Sequence, residues 1–183
     1  MATPPEAIIQ QHIEVLRKSL FQKPEKCIVP ARVYVSRDGH KLKKDPVSFV
    51  RRFGGVTEVG AVSYTNQSNW MSFDEYVEFK DHPLNLGSVI YPGVVLAATT
   101  GVIILDFDNH DRIPDLDVVQ QQQIKYLQSI VGVDEDFYVE RSISGSGYHV
   151  IINGDWPYEG QNAPNFQVFN KGGFVVLTGD DPR

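Results

Sequence analysis

Apolar residues recur at Ile9, Ile13, Leu16 and Leu20, the spacing of one helix face, behind a Thr3-Pro4-Pro5-Glu6 start laid out like a capping box with proline in the first turn. The spacing predicts an amphipathic helix ending near Lys23-Pro24. The period then changes. Ile28-Val29 and Val33-Tyr34-Val35 read as short strands with Asp38-Gly39 as a turn, and Ser72–Lys80 (SFDEYVEFK) as a short helix capped by Ser72. Val94–Ala97 and Val102–Leu105 read as adjacent strands joined through Thr99-Thr100-Gly101. Pro114 opens a second helix, PDLDVVQQQQIKYLQSIVG, and Gly132 closes it. Phe137-Tyr138-Val139, Tyr148–Ile152 and Gly173–Leu177 are the remaining strands. The set is α+β. Residues 1–28 read as an N-terminal helical appendage and residues 29–183 as one catalytic-sized domain, with no internal repeat. The ending TGDDPR follows an apolar strand, as expected of the front part of a longer polypeptide.

Length and composition narrow the class. The chain has 183 residues, enough for one domain with a real core. No run approaches the roughly 18–20 apolar residues of a membrane span. The start MATPPEAIIQQ lacks the basic-then-apolar layout of a signal peptide. One cysteine, Cys27, excludes an internal disulfide and a multi-cysteine zinc site, and the five histidines show no zinc-ligand spacing. The expected setting is a reducing cytoplasm with no membrane partner. A net charge of −6 argues against indiscriminate nucleic-acid binding, but the charge is unevenly laid out. Residues 30–52 hold seven Lys/Arg against two acids, and residues 105–140 hold nine acids against two bases. A basic surface that meets a polyanion and an acidic part that holds cations would produce this layout. So would two differently charged solvated faces.

Three motifs carry candidate chemistry. In GVIILDFDNHD, an apolar, β-branched run enters Asp106 and Asp108, which strand periodicity sets on one face. Two carboxylates so placed repel each other unless a cation lies between them. They form a hard-oxygen site of the kind Mg²⁺ or Mn²⁺ prefers, and two ions roughly 3.5–4 Å apart there could activate a hydroxyl and neutralise pyrophosphate. The alternative is a surface turn with two solvated aspartates. In ERSISGSGYHVII, Ser144-Gly145-Ser146-Gly147 is a small-residue loop able to surround phosphate oxygens, with His149 on the next strand. It matches neither the phosphate loop, since no lysine follows, nor the nucleophile elbow, since a strand follows. The plain alternative is a hairpin with a strand histidine. In NFQVFNKGGFVVLTGD, Gly172-Gly173 separates two extended runs, which a core hairpin would also explain.

Taken in order, the three motifs resemble those of the primase-polymerase domains of phage and plasmid replication proteins, in the archaeo-eukaryotic primase superfamily. LDFDN matches the family's DxD motif, SGSGYH its SGxGxH-type motif, and QVFNKGGFVVLTGD its third motif in everything but the acid. KLKKDP and NQSNWMSFDEYVEF resemble its weaker lead-in, so the likeness covers roughly residues 30–180. It implies a primase-like core of mixed or antiparallel sheets flanked by helices, similar to an RNA-recognition fold. It also implies DNA primase or polymerase activity by a two-metal mechanism. Asp106 and Asp108 would hold Mg²⁺ or Mn²⁺. Ser144, Gly145, Ser146, Gly147 and His149 would hold the incoming triphosphate, with Lys171 adding charge. Lys41, Lys43, Lys44, Arg51 and Arg52 would track template phosphates, with Trp70 or Tyr64 as stacking platforms. The implied partners are a single-stranded DNA template, nucleoside triphosphates, and a helicase domain or other replication proteins.

One departure stands out. The family's third carboxylate falls on Gln167, whose amide oxygen can touch a metal but brings no charge. The family's arginine before the last strand is replaced by Gly173. Either a carboxylate elsewhere (Asp155 or Asp180) substitutes, or the chain is a non-catalytic nucleotide- or DNA-binding replication module, or the glutamine silences a glutamate. A third reading, a phosphatase of the haloacid dehalogenase type, takes its start from strand-DxD. That motif wants Thr or Val four residues after the first Asp, where this chain has His110, and it gives SGSGYH no role.

Overall fold

The computed structural model describes residues 26–39, 41–85, 87–96, 102–108, 125, 129, 138–153, 162–163, 166–170 and 172–180. Within them the architecture is α+β, two five-stranded antiparallel sheets with one short α-helix. The first sheet contains β1 (Ile28–Val35), β2 (Leu42–Arg51), β3 (Thr57–Ala61), β4 (Ile90–Val95) and β10 (Phe174–Val176), in the order β10-β4-β1-β2-β3. The second contains β5 (Val102–Asp108), β6 (Tyr138–Arg141), β7 (Gly147–Asn153), β8 (Asn162–Ala163) and β9 (Phe166–Phe169), in the order β6-β7-β5-β9-β8. Helix α1 (Phe73–Lys80) packs on β1 and β4. Among the described residues, no helix is long and apolar enough to cross a membrane.

Local sequence explains some of these elements directly. Helix α1 begins at the predicted cap: Ser72 Oγ accepts from Glu75 N at 3.2 Å, and Glu75 Oε2 accepts from Ser72 N at 2.7 Å. Lys26 Nζ lies 2.6 Å from Glu75 Oε1 and holds that carboxyl below the usual glutamate range. The helix buries Phe73, Tyr76 and Phe79 on one side, and the Tyr76 hydroxyl donates to Ile90 O at 3.0 Å. Burial pushes that phenol well above its ordinary value.

Other expectations are corrected. The two short strands at 28–29 and 33–35 are one, β1, because Pro30 stands opposite Pro92 and the two missing N–H donors fall at a single register position. Ile28 opens β1 with no solvent exposure. The core of the basic lead-in KLKKDPVSFVRR, Leu42–Arg51, is itself a strand, β2. The strands around 94–97 and 102–105 are not neighbours: β4 lies in the first sheet and β5 in the second. The runs flanking Gly172-Gly173 are likewise not a hairpin, since β9 pairs with β5 and β10 with β4. The predicted N-terminal helix lies outside the described residues. So does the helix from Pro114, save Lys125 and Ser129, which are helical and exposed.

The sheets share a core. One cluster unites the α1 aromatics with Ile28, Val47, Ile90 and Val94 of the first sheet and Ile104, Tyr138 and Ile151 of the second. A second cluster, Ile103, Leu105, Phe107, Val139, Tyr148, Val150, Ile152 and Val168, covers the other face of the second sheet. The alternation along β5 therefore assigns Ile104 and Asp106 to the face turned toward the first sheet.

Between β4 and β10, the Phe174 ring lies where a Gly93 side chain would be. A Cβ there would sit 2.2 Å from the ring and 2.8 Å from Val29 O. Gly93→Ala is expected to destabilise the fold by about 1–3 kcal/mol through overpacking. Adding Phe174→Ala should not recover the loss fully, because the Val29 carbonyl remains. Urea denaturation of the two variants measures both effects.

Candidate functional site

Register builds the site. On β5, Asp106 stands opposite His149 of β7 on one side and Gln167 of β9 on the other. His149 in turn stands opposite Glu140 of β6. Four polar residues, Glu140, His149, Asp106 and Gln167, thus form one transverse row over four adjacent strands. With strands about 4.8 Å apart the row is about 14 Å long. Such residues are far apart in sequence and adjacent only because the ladder sets them so.

Burial grades along this row. Glu140 has no solvent exposure, the His149 side chain is 3% exposed and the Asp106 side chain 21%, while Gln167 is exposed. His149 Nδ1 lies 2.8 Å from Glu140 Oε1, and Nε2 lies 3.6 Å from Asp106 Oδ1. The imidazole is thus sandwiched edge-on between two carboxylates. Glu140 also accepts from Thr178 N at 3.1 Å, from Gly179 N at 2.8 Å and from the Tyr138 hydroxyl at 3.2 Å. Every partner is one that can donate, which is how a buried carboxylate is tolerated away from water.

Asp108 ends β5 two positions after Asp106, opposite Gly147. The β6–β7 turn therefore lies at the Asp108 end of the sheet. Ser142 N donates to Gly147 O and Gly145 N to Ser142 O, each at 2.8 Å, and Gly145 takes φ 73°. The hydroxyls of Ser142, Ser144 and Ser146 form a chain, 3.0 Å and 2.8 Å apart, with Ser144 exposed. The Ser144-Gly145-Ser146-Gly147 segment is thus a tight hairpin of small residues whose hydroxyls lie at the Asp108 end of β5.

The other expected residues fall as follows. Lys43 and Arg51 lie on one face of β2 and Lys44 on the other, since odd and even positions alternate. Lys41 precedes the strand, and Arg52 Nε lies 2.5 Å from Glu58 Oε1. The basic run is therefore split between two faces, with one of its members in an ion pair. Trp70 Nε1 donates to Tyr64 O at 2.7 Å, and Tyr64 stacks on Phe174 with centroids 5.2 Å apart, so these aromatics serve internal packing. Of the substitute carboxylates, Asp180 Oδ2 lies 3.9 Å from Arg141 Nε, beside the edge strand β6. Asp155 and Lys171 lie outside the described residues.

The donor chemistry fits a hard divalent cation. Asp106 carries a carboxylate accessible at the row, Asp108 follows it on β5, and Gln167 brings an amide oxygen opposite. Among the described residues, no three His, Cys, Asp or Glu side chains form a ready ligand cluster. A cation here would take two carboxylates and an amide and complete its shell from water or substrate, the usual habit of Mg²⁺.

Glu140 opens the ERSISGSGYHVII segment, where sequence reasoning assigned it no role; the β6–β7 register makes it the partner of His149. No family model, no curated protein and no solved structure matches the chain.

The Gly145 position has open space around a would-be Cβ, so only backbone strain opposes a side chain. Gly145→Ala should cost about 1–2 kcal/mol and Gly145→Asn less, because asparagine tolerates the left-handed region. Urea midpoints of the two variants check this order.

Proposed function

We propose that the chain is a primase-polymerase core of the archaeo-eukaryotic primase type and performs template-directed nucleotidyl transfer in DNA replication. One observation carries the reading: Asp106, His149 and Gln167, from three motifs spread over some sixty residues, occupy adjacent register positions on β5, β7 and β9. The order of the motifs suggested such convergence, and an unrelated set of surface turns would have no reason to produce it. In the phosphatase reading His149 has no task, although its Nε2 lies 3.6 Å from Asp106 Oδ1.

In this proposal Asp106 and Asp108, assisted by Gln167, hold the cation. Bound there, Mg²⁺ or Mn²⁺ would increase the acidity of a 3′-hydroxyl and offset charge on the departing pyrophosphate. The chain's own residues orient the reactants. Asp106 offers an accessible carboxylate at the row. The Ser144 and Ser146 hydroxyls and the Gly145 and Gly147 backbone would bind the triphosphate. His149 faces the nucleotide with Nε2, the ring atom on the Asp106 side. Such positioning and charge complementarity account for most of the catalysis expected of phosphoryl transfer. Lys43 and Arg51 on one face of β2 remain the best candidates for template phosphates, with single-stranded DNA as the partner.

Gln167 favours a second reading, a nucleotide- or DNA-binding replication module without synthesis. Its exposed amide stands where the family's third carboxylate would face Asp106.

The test is primer synthesis and extension on a single-stranded template with nucleoside triphosphates and Mg²⁺ or Mn²⁺. Asp106→Ala combined with Asp108→Ala should reduce product to background; synthesis that survives the double substitution overturns the proposal. Calorimetry with Mn²⁺ should show Gln167→Glu binding about tenfold more tightly, well within what an added charge ~4 Å from the ion is worth at an effective dielectric of about 20. Nucleotide binding without synthesis in the wild type, and synthesis in Gln167→Glu, selects the second reading.

A further inference from the structure

Glu140 is held by four donors from three parts of the chain. Its Oε1 accepts from Thr178 N at 3.1 Å and meets His149 Nδ1 at 2.8 Å; its Oε2 accepts from Thr178 N, Gly179 N and the Tyr138 hydroxyl. Backbone N–H groups can only donate, so these oxygens are acceptors. His149 Nδ1 must therefore carry the proton between them. Rotating the ring by half a turn would set carbon against Glu140 and leave that contact without a donor, in a site water does not reach. The ring is thus held in one orientation, with Nε2 3.6 Å from Asp106 Oδ1.

We propose that Glu140 is a positioning residue that fixes the Nδ1 proton and the orientation of His149, so that Nε2 is turned toward Asp106 and the nucleotide seated beside it. Glu140 itself touches no substrate. That the neighbour is a nucleotide rests on the nucleotidyl-transfer reading; the Nδ1 proton and the ring orientation do not. Thr178 and Gly179 hold Glu140 from behind, so the arrangement has the form of a ligand histidine oriented by a buried carboxylate, the pattern that sets imidazole geometry at many polar sites.

Two measurements test it on the full chain. Long-range ¹H–¹⁵N correlation spectra of the wild type should show His149 protonated at Nδ1. An Nδ1 without its proton overturns the proposal whatever the activity. In steady-state primer extension, Glu140→Gln should raise the KM for nucleoside triphosphate by about tenfold with kcat nearly unchanged, and Glu140→Asp should recover part of the loss. Thr178→Val, which removes the hydroxyl that donates to Arg141 O and accepts from Asp180 N but keeps the backbone N–H on Glu140, is the control for mere loosening. A KM increase in Thr178→Val equal to that in Glu140→Gln, at matched urea midpoints, overturns the positioning role. If the wild type neither binds nucleotide nor extends primers, the proposed function fails while the spectra still decide on Glu140. If Glu140→Gln does not fold, the wild-type spectra and Glu140→Asp carry the decision.

Discussion

A carboxylate sealed from water survives only if donors surround it, and the donors around Glu140 come from three separate parts of the chain. Tyr138 supplies one from β6 and His149 one from β7, while Thr178 and Gly179 add theirs from the segment after β10. That segment is also fastened to the first sheet, because Leu177 N donates to Pro92 O at 2.9 Å. Consecutive residues therefore bind one sheet through Leu177 and the other through Thr178. The spacing of the sheets and the placement of His149 share this one constraint.

The face that bears the site is apolar at one end and polar at the other. Ile104, Tyr138 and Ile151 join the core shared with the first sheet, and Asp106, Glu140 and His149 lie one strand repeat away. That repeat is only about 6.6 Å. The polar row is thus anchored directly on packed hydrophobic side chains, which limits its motion and lowers the local dielectric. In such surroundings a satisfied hydrogen bond is stronger and a missing one more costly. Rigid placement of the row is a product of the core beneath it.

The two acidic positions on β5 have different neighbours: His149 lies across the ladder from Asp106, and Gly147, at the end of the serine hairpin, from Asp108. Asp106, Asp108 and Glu140 lie on strands of the second sheet and the basic strand β2 in the first. Strand alternation then divides Lys43 and Arg51 from Lys44 between the faces of β2. Charge counts along a sequence overstate a surface patch whenever the segment is a strand.

Much of the site could be named from sequence because its residue types are chemically conspicuous: an acid pair after an apolar run, a serine-glycine turn, a histidine two residues beyond it. The Ser72 cap and α1 were equally legible, since capping is decided within four residues. Strand pairing was not. Val94–Ala97 and Val102–Leu105 look like a hairpin, yet separate sheets claim them, because β4 finds its partners in β1 and β10 and β5 finds its own in β7 and β9. Glu140 was invisible for the same reason. Local sequence determines which residues can carry charge, turn the chain or cap a helix; ladder register, a long-range agreement among strands, determined which of them meet.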